Sequence, residues 1–256
     1  MTAVVAFLCA DGAVIAADSM MTPSVAGIAV GHHKGLKVEI IAGPQVFAYA
    51  GDHGQGARCK IMADTRHADF GLGQGSHPID YPLSLTEALI DQFDRTGVTT
   101  AAIDVSTVLA FVHDGAPQCC VFEGPIQPRL LDRHHFYVAL GTGKQSADPF
   151  LRFLVDIFCG SKQPNVREAV FLATWTLDHV IETNPGGIAG PIRIAVLEPD
   201  LNGVYQPRTL PDNEIDEQRQ AIENAEAALR RWRDEMQSGR AAEGAPHPPS
   251  APNGAS

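Results

Sequence analysis

Hairpin-like blocks and helix pairs alternate along this chain, and that order constrains its fold more than any single motif. Val4–Cys9 and Ala13–Ala17 predict two strands about an Asp11-Gly12 turn, a dipeptide suited to the positive φ angles of a tight hairpin. Lys37–Ile41 and Gln45–Ala50 predict a second strand pair around Ala42-Gly43-Pro44. Helical periodicity follows over about 55–68 and 84–96, the latter opened by Ser84-Leu-Thr-Glu87 in the pattern of a capping box. Strands return at Val105–His113, Gln118–Glu123, Pro128–Leu131 and His135–Leu140, with a second Asp-Gly pair at Asp114-Gly115. Two helices, Ser146–Cys159 and Val166–Glu182, and a last strand, Pro191–Leu197, are predicted beyond them. Helix pairs set between hairpin blocks imply antiparallel sheets covered by helices rather than a doubly wound parallel sheet.

A long helix is predicted at 212–237, where Ile215, Ile222, Leu229 and Met236 recur every seven residues with Ala225 and Trp232 on the same seam. That seam suits either packing on its own domain or contact with a neighbouring subunit. From Gly239 onward Pro, Gly, Ala and Ser dominate, which predicts disorder over 239–256. The expected organisation is one domain over 2–205, the 212–237 helix, and the tail.

Net charge is −11, which argues against nucleic acid or an anionic membrane as the main partner. No run approaches the roughly 20 apolar residues of a membrane span, and no charged segment precedes a long apolar stretch. Five cysteines without a CxxC pair read as reduced thiols of a cytoplasmic protein. Cys119 and Cys120 are neighbours in a predicted strand, so they should face opposite ways. His32-His33 and His134-His135 lack the spacing of a metal site, and no metal or cofactor is expected. The glycine-rich run from Phe70 to His77 follows a helix and has no P-loop lysine, so it does not read as a phosphate cradle.

The chemistry points to Thr2. Removal of Met1, expected from methionine aminopeptidase because Thr is small, would leave a threonine with a free α-amine. One residue then supplies a nucleophilic hydroxyl and its base, an amine with an ordinary pKa of roughly 7.7–8.0.

The opening hairpin, with Thr2, Asp11-Gly12 and Ala-Ala-Asp18-Ser19, resembles the start of a proteasome-type β-subunit, a branch of the N-terminal nucleophile hydrolases. Lys37-Val-Glu-Ile-Ile resembles the strand that carries the family's catalytic lysine. Phe47-Ala-Tyr-Ala-Gly51 resembles the strand ending in its oxyanion glycine, and Gly141-Thr142-Gly143 resembles its Gly-Ser-Gly before the third helix. The resemblance covers roughly residues 2–200. It implies an α+β fold, a four-layer αββα sandwich of two antiparallel sheets flanked by helix pairs. It also implies a threonine peptidase acting on peptide or unfolded polypeptide within a homo-oligomeric ring, with an ATPase unfoldase as partner for folded substrates.

The implied catalytic residues are Thr2, Asp18, Lys37, Gly51 and Thr142, and the implied pocket residues are Met21, Tyr49 and His53. A lysine ammonium beside the Thr2 amine would favour its neutral, proton-accepting form, and a buried lysine needs a carboxylate such as Asp18. The Gly51 N–H would stabilise an oxyanion by roughly 3–4 kcal/mol. Lys34 competes for the lysine's role: counting forward from Asp18 reaches Lys34, counting back from Gly51 reaches Lys37. Lys37 is preferred because it opens an apolar strand. One segment departs from the family. Asn184-Pro-Gly-Gly-Ile-Ala-Gly190 stands where an Asp and a Ser are usual. A hydrolase of a non-peptide amide and an inactive ring-forming scaffold therefore remain as alternatives.

Overall fold

The computed structural model describes residues 1–21, 24–25, 28–29, 31–70, 77–160, 162–184 and 187–237. The glycine-rich run at 71–76 and the expected tail at 239–256 lie outside them. Among the described residues the fold is α+β, with five α-helices and antiparallel sheets.

β1 (Val4–Leu8) and β2 (Ala13–Ala17) form the opening hairpin in the register Val4↔Ala17 to Leu8↔Ala13. Short strands follow: β3 (Met20–Met21) pairs with β6 (His33–Lys34), and β4 (Ser24–Val25) with β5 (Ile28–Ala29). β7 (Val38–Ile41), β8 (Gln45–Gly51), β9 (Val105–His113), β10 (Ala116–Glu123) and β11 (Gln127–Leu130) make one five-stranded sheet, ordered β11-β10-β9-β8-β7. β12 (Tyr137–Leu140), β13 (Arg193–Pro199) and β14 (Tyr205–Thr209) complete the other, ordered β12-β1-β2-β13-β14. The helices are α1 (His53–Phe70), α2 (Asp80–Arg95), α3 (Lys144–Phe158), α4 (Val166–Thr183) and α5 (Asp212–Gln237).

β1 and β2 are buried along their whole length, which is why they read as continuous apolar runs. Alternation along a strand divides their side chains. Val5, Phe7, Val14 and Ala16 join a cluster with Leu151 and Leu154 of α3, Ala173 and Leu177 of α4, and Ile215 of α5. Val4, Ala6 and Ile15 join Ala48, Val108 and Val121 of the other sheet. The far face of that second sheet packs Phe47, Leu109 and Phe122 against Leu85, Leu89 and Phe93 of α2. Cys119 belongs to the cluster shared by the two sheets and Cys120 to the one beneath α1 and α2.

Three expectations change in detail. Asp11-Gly12 does not form a two-residue turn with positive φ. It ends a four-residue connection, Cys9 to Gly12, in which the Cys9 N–H bonds the Gly12 carbonyl at 2.8 Å. Glycine is required there by close approach, since a Cβ would collide with the Leu197 carbonyl and lie 2.6 Å from Val166 Cγ2. Ser84 does not cap α2, which starts at Asp80. Pro82 sits in the first turn, where its missing N–H has no helical partner to lose, and Ser84 Oγ donates back to the Tyr81 carbonyl. Finally, β13 is not the last strand. β14 was hidden by its polar sequence and by Pro207, a residue an edge strand tolerates.

The α5 seam divides. Ile215 and Ile222 are buried, and Arg219 bonds Asp178 of α4 at 2.9 and 3.0 Å. Leu229, Trp232 and Met236 remain exposed.

Candidate active site

The open end of the β1–β2 hairpin positions the site. Its register carries Ala3 opposite Asp18, whose N–H donates to the Ala3 carbonyl at 3.2 Å. In return the Ala3 N–H donates to Asp18 Oδ1 at 2.9 Å, and the Met20 N–H donates to Asp18 Oδ2 at 3.1 Å. Asp18 is wholly buried, so these donors and one cation must answer its charge. The cation is Lys37, 4% exposed, whose Nζ lies 2.8 and 2.9 Å from the two carboxylate oxygens. Lys37 Nζ also donates to the Met1 carbonyl at 3.3 Å, which sets it beside the peptide that joins Met1 to Thr2.

The pair is electrostatically tuned. Burial lowers the Lys37 pKa from its ordinary value, and the adjacent Asp18 charge opposes that drop. The α-amine of Met1 is also lowered, first by burial, then by the Lys37 charge, with Asp18 acting against both. Lys34 is exposed on β6. It is absent from the cavity, so the geometry brings Lys37, and not Lys34, to Asp18.

The loop before α3 closes on Thr2 from the other side. Thr2 N–H donates to Thr142 Oγ1 at 3.1 Å, and Gly143 N–H donates to the Thr2 carbonyl at 3.0 Å. Gly141 has φ +84°, and a Cβ there would strike the Thr2 carbonyl oxygen. Only glycine satisfies both conditions, which explains the Gly-Thr-Gly run as a seat for the start of β1.

A cavity of about 780 Å³ opens beside Thr2, Lys37 and Thr142. Gly51, at the end of β8 with φ +105°, forms part of its wall. Met21, Tyr49 and His53 line it as well. The Tyr49 hydroxyl and His53 Nδ1 share a hydrogen bond of 2.5 Å. Burial, reinforced by Glu39 and Asp52, pushes Tyr49 up to about 12, so its hydroxyl stays neutral.

Sequence reasoning missed other members of this wall. Asp52 and Asp104 line the cavity and are joined through the Asp52 N–H and the Asp104 carbonyl at 2.6 Å. Glu123 and Lys144, 3.6 Å apart, form a rim ion pair between β10 and α3. Asp52 was discoverable as the neighbour of Gly51. Glu123 and Lys144 carry no local signal, because folding alone brings them together. Ser19, which follows Asp18 in the opening motif, lies beside the site and not in the cavity wall. Its hydroxyl is buried and, among the described residues, without a hydrogen-bond partner, while its N–H donates to the Ala189 carbonyl at 3.2 Å.

The Asn184–Gly190 segment borders the site mainly through backbone. Asn184 ends α4 and donates to Ser146 Oγ at 3.0 Å, and Gly187 lies against the Met1 side chain. Residues 185 and 186 lie outside the described ones. Among the described residues, no group of three or more His, Cys, Asp or Glu is arranged to hold a metal ion. No described helix is long and apolar enough to cross a membrane.

No family model and no curated protein matches the sequence. Solved structures do. The chain is similar to a Gly-1 mutant of Anbu from Hyphomicrobium sp. strain MC1, with TM-score 0.68 and 15% identity over 90% of this chain and 96% of that one. It is similar to Anbu from Pseudomonas aeruginosa, solved as a helical assembly of the Anbu complex, with TM-score 0.66 and 17% identity over 98% and 100%. It is also similar to Anbu, an ancestral beta-subunit, from Yersinia bercovieri, with TM-score 0.67 and 13% identity over 89% and 96%. Likeness at this identity shows that the chain shares the fold of these Anbu structures, and no more.

Proposed function

We propose that this chain is a threonine hydrolase of peptide bonds whose nucleophile is Thr2, freed by removal of Met1. The observation that carries this reading is the buried Asp18–Lys37 pair at the start of β1, with Lys37 on the Met1–Thr2 peptide. While Met1 is attached, the Thr2 nitrogen is an amide and cannot take a proton. Freed, it is an amine in the field of Lys37, which holds it in the neutral form. It takes the hydroxyl proton as Oγ attacks the substrate carbonyl carbon. The tetrahedral oxyanion is held by the Gly51 N–H. The protonated amine then gives its proton to the leaving nitrogen, the C–N bond breaks, and an ester to Thr2 remains. Water, deprotonated by the same amine, hydrolyses that ester. Thr142 orients the amine, and Met21, Tyr49 and His53 shape the pocket for the substrate side chain.

The three apolar clusters support a four-layer αββα sandwich over 2–205, with β14 running on to Thr209 and α5 as an appended helix. The helical assembly of the Pseudomonas aeruginosa complex supports self-association of this chain, which we read as a ring enclosing the sites. Folded substrates would then require a separate ATP-driven unfoldase. Free cysteines, four of them buried, fit a reducing cytoplasm.

A second reading has one observation in its favour. The Asn184–Gly190 segment contains no carboxylate or hydroxyl side chain to stand near the Thr2 amine. That favours a slow hydrolase of a non-peptide amide, or a scaffold without activity. Intact mass with and without a β-lactone inhibitor separates them, with Thr2→Ala as control. Loss of Met1 and one adduct absent from the control support the hydrolase. A chain that keeps Met1, or never labels, overturns it, and a peptide-library digest separates peptide from non-peptide substrates.

A further inference from the structure

Asp52 precedes α1 and caps it, its Oδ1 accepting the Gln55 N–H at 2.8 Å. A Gln three residues beyond such a cap is the pattern of a capping box, in which the Gln side chain returns to the N–H of the cap. Here it does not return. The Asp52 N–H donates to the Asp104 carbonyl at 2.6 Å. The Gln55 side chain crosses instead to the segment that carries this carbonyl. Its Oε1 accepts the Asp104 N–H at 2.8 Å, and its Nε2 donates to the Ala102 carbonyl at 3.0 Å. One amide thus grips two backbone groups that are 49 and 47 residues away. Only an amide does both, since one partner is a donor and the other an acceptor.

The gripped segment borders the proposed oxyanion donor. Gly51 stands opposite Val105 in the β8–β9 register, so Asp52 stands opposite Asp104. Cross-strand bonds fall on alternate residues of an antiparallel pair. Asp52 donates toward β9, so the Gly51 N–H points away from it. On that other side the β7 ladder stops at Val38↔Ala48, short of Gly51. The Gly51 N–H therefore leaves the sheet at the cavity wall. The Asp104 carbonyl also lies against Gly51 itself, where φ is +105° and a Cβ would strike that oxygen. Its position sets both the Asp52 N–H and the turn at Gly51.

We infer that Gln55 is a positioning residue of the oxyanion site, holding Gly51 through Asp104. The inference rests on the hydrolase reading. An oxyanion donor acts by being fixed before charge develops. Gly51 has no side chain with which to anchor itself, and its backbone is the most permissive in the chain. The Gln55 fork supplies the missing constraint from behind the cavity wall, without touching a reacting atom. Hydrogen bonds this close to solvent add little net stability, so the fork matters more to placement than to folding.

The rate of β-lactone labelling of Thr2, followed by intact mass on the full chain, tests it. Attack on the lactone carbonyl passes through an oxyanion, so the saturating rate reads the donor. Gln55→Met keeps the volume and removes both bonds. Its saturating rate per folded molecule should fall about tenfold, less than the roughly hundredfold loss of a whole donor. The half-saturating lactone concentration and the pH midpoint of labelling should stay, because pocket and amine are untouched. General loosening of the site would move all three. Gln55→Glu should fall between Gln55→Met and the wild type, keeping the acceptor for Asp104 and losing the donor to Ala102. Glutamate suits the first turn of a helix, so a capping role alone would make Gln55→Glu as fast as the wild type. That result would overturn the inference. So would Gln55→Met at the wild-type rate, all three parameters moving together, or Gln55→Glu as slow as Gln55→Met. A wild type that never labels sinks the hydrolase reading and this inference with it. A labelled wild type beside an unchanged Gln55→Met sinks the inference alone.

Discussion

The two ends of the β1–β2 hairpin each hold a carboxylate, and the two are used differently. At the turn, Asp11 Oδ1 accepts from the Val166 N–H at 2.8 Å and so seats the first residue of α4 on the hairpin. At the open end, Asp18 accepts two backbone N–H groups and still has a buried lysine on both oxygens. The first arrangement resembles helix capping, worth about 1 kcal/mol. The second places an ion pair out of water, where removing one partner costs about 3–5 kcal/mol because the other charge is stranded. Replacing such a pair by apolar residues is often neutral, so the fold alone gives little reason to keep it. The asymmetry points to chemistry at the open end and architecture at the turn.

The comparison breaks most visibly at Lys37. Lys37→Met should destabilise the chain by about 3–5 kcal/mol in denaturant titration, since Asp18 is left buried and unpaired. It should also move the acidic limb of the rate–pH profile. In the proposed mechanism the Thr2 amine must be neutral to act, and the Met1 α-amine one residue before it is lowered from the ordinary 8.0 first by burial and then by Lys37. Without the lysine charge the limb shifts to higher pH. Burial persists, so the limb stays short of the ordinary value. A limb that does not move would remove Lys37 from the proposed mechanism.

At the turn, Gly12→Ala should cost about 1–3 kcal/mol through overlap with the Leu197 carbonyl and Val166. Labelling of Thr2 per folded molecule should be unchanged, and a parallel loss of labelling would mean that the two ends are coupled. Thr142→Val keeps the shape and removes the acceptor of the Thr2 N–H. Hydrolysis should fall about tenfold, equivalent to about 1.4 kcal/mol, with little change in melting temperature. The smallest effect is expected from Asp11→Ala, about 1 kcal/mol of stability and full activity per folded molecule, read by thermal melts and initial rates.

Much of the fold was legible because strand alternation and helix periodicity are local. The pairing of β1 with β2 follows from the hydrophobic run, and the register then carries Ala3 to Asp18 without further information. The two Asp-Gly pairs mark the limit. Asp114 and Gly115 have φ of 49° and 73°, and nothing lies near a Cβ at Gly115. There the dipeptide means a tight turn. Asp11-Gly12 has the same letters, but its glycine answers to Leu197 and its aspartate to Val166, both more than 150 residues away in sequence. The site divides likewise. Lys37 stands out from Lys34 once burial is known, while Glu123 and Lys144 meet only because β10 and α3 border one cavity. Local patterns report elements, and long-range contacts remain silent until the chain has closed.

Cys119 and Cys120 give the molecule a pair of built-in clocks. They are adjacent on β10 yet belong to different apolar layers, and burial holds both thiols far above the ordinary range, Cys120 at about 12. Neither presents a thiolate to reagent while its layer is shut. Alkylation of Cys119 therefore times parting of the sheets, and alkylation of Cys120 times lifting of α1 and α2. Peptide mapping of a single labelling series would show whether these layers open together or in turn.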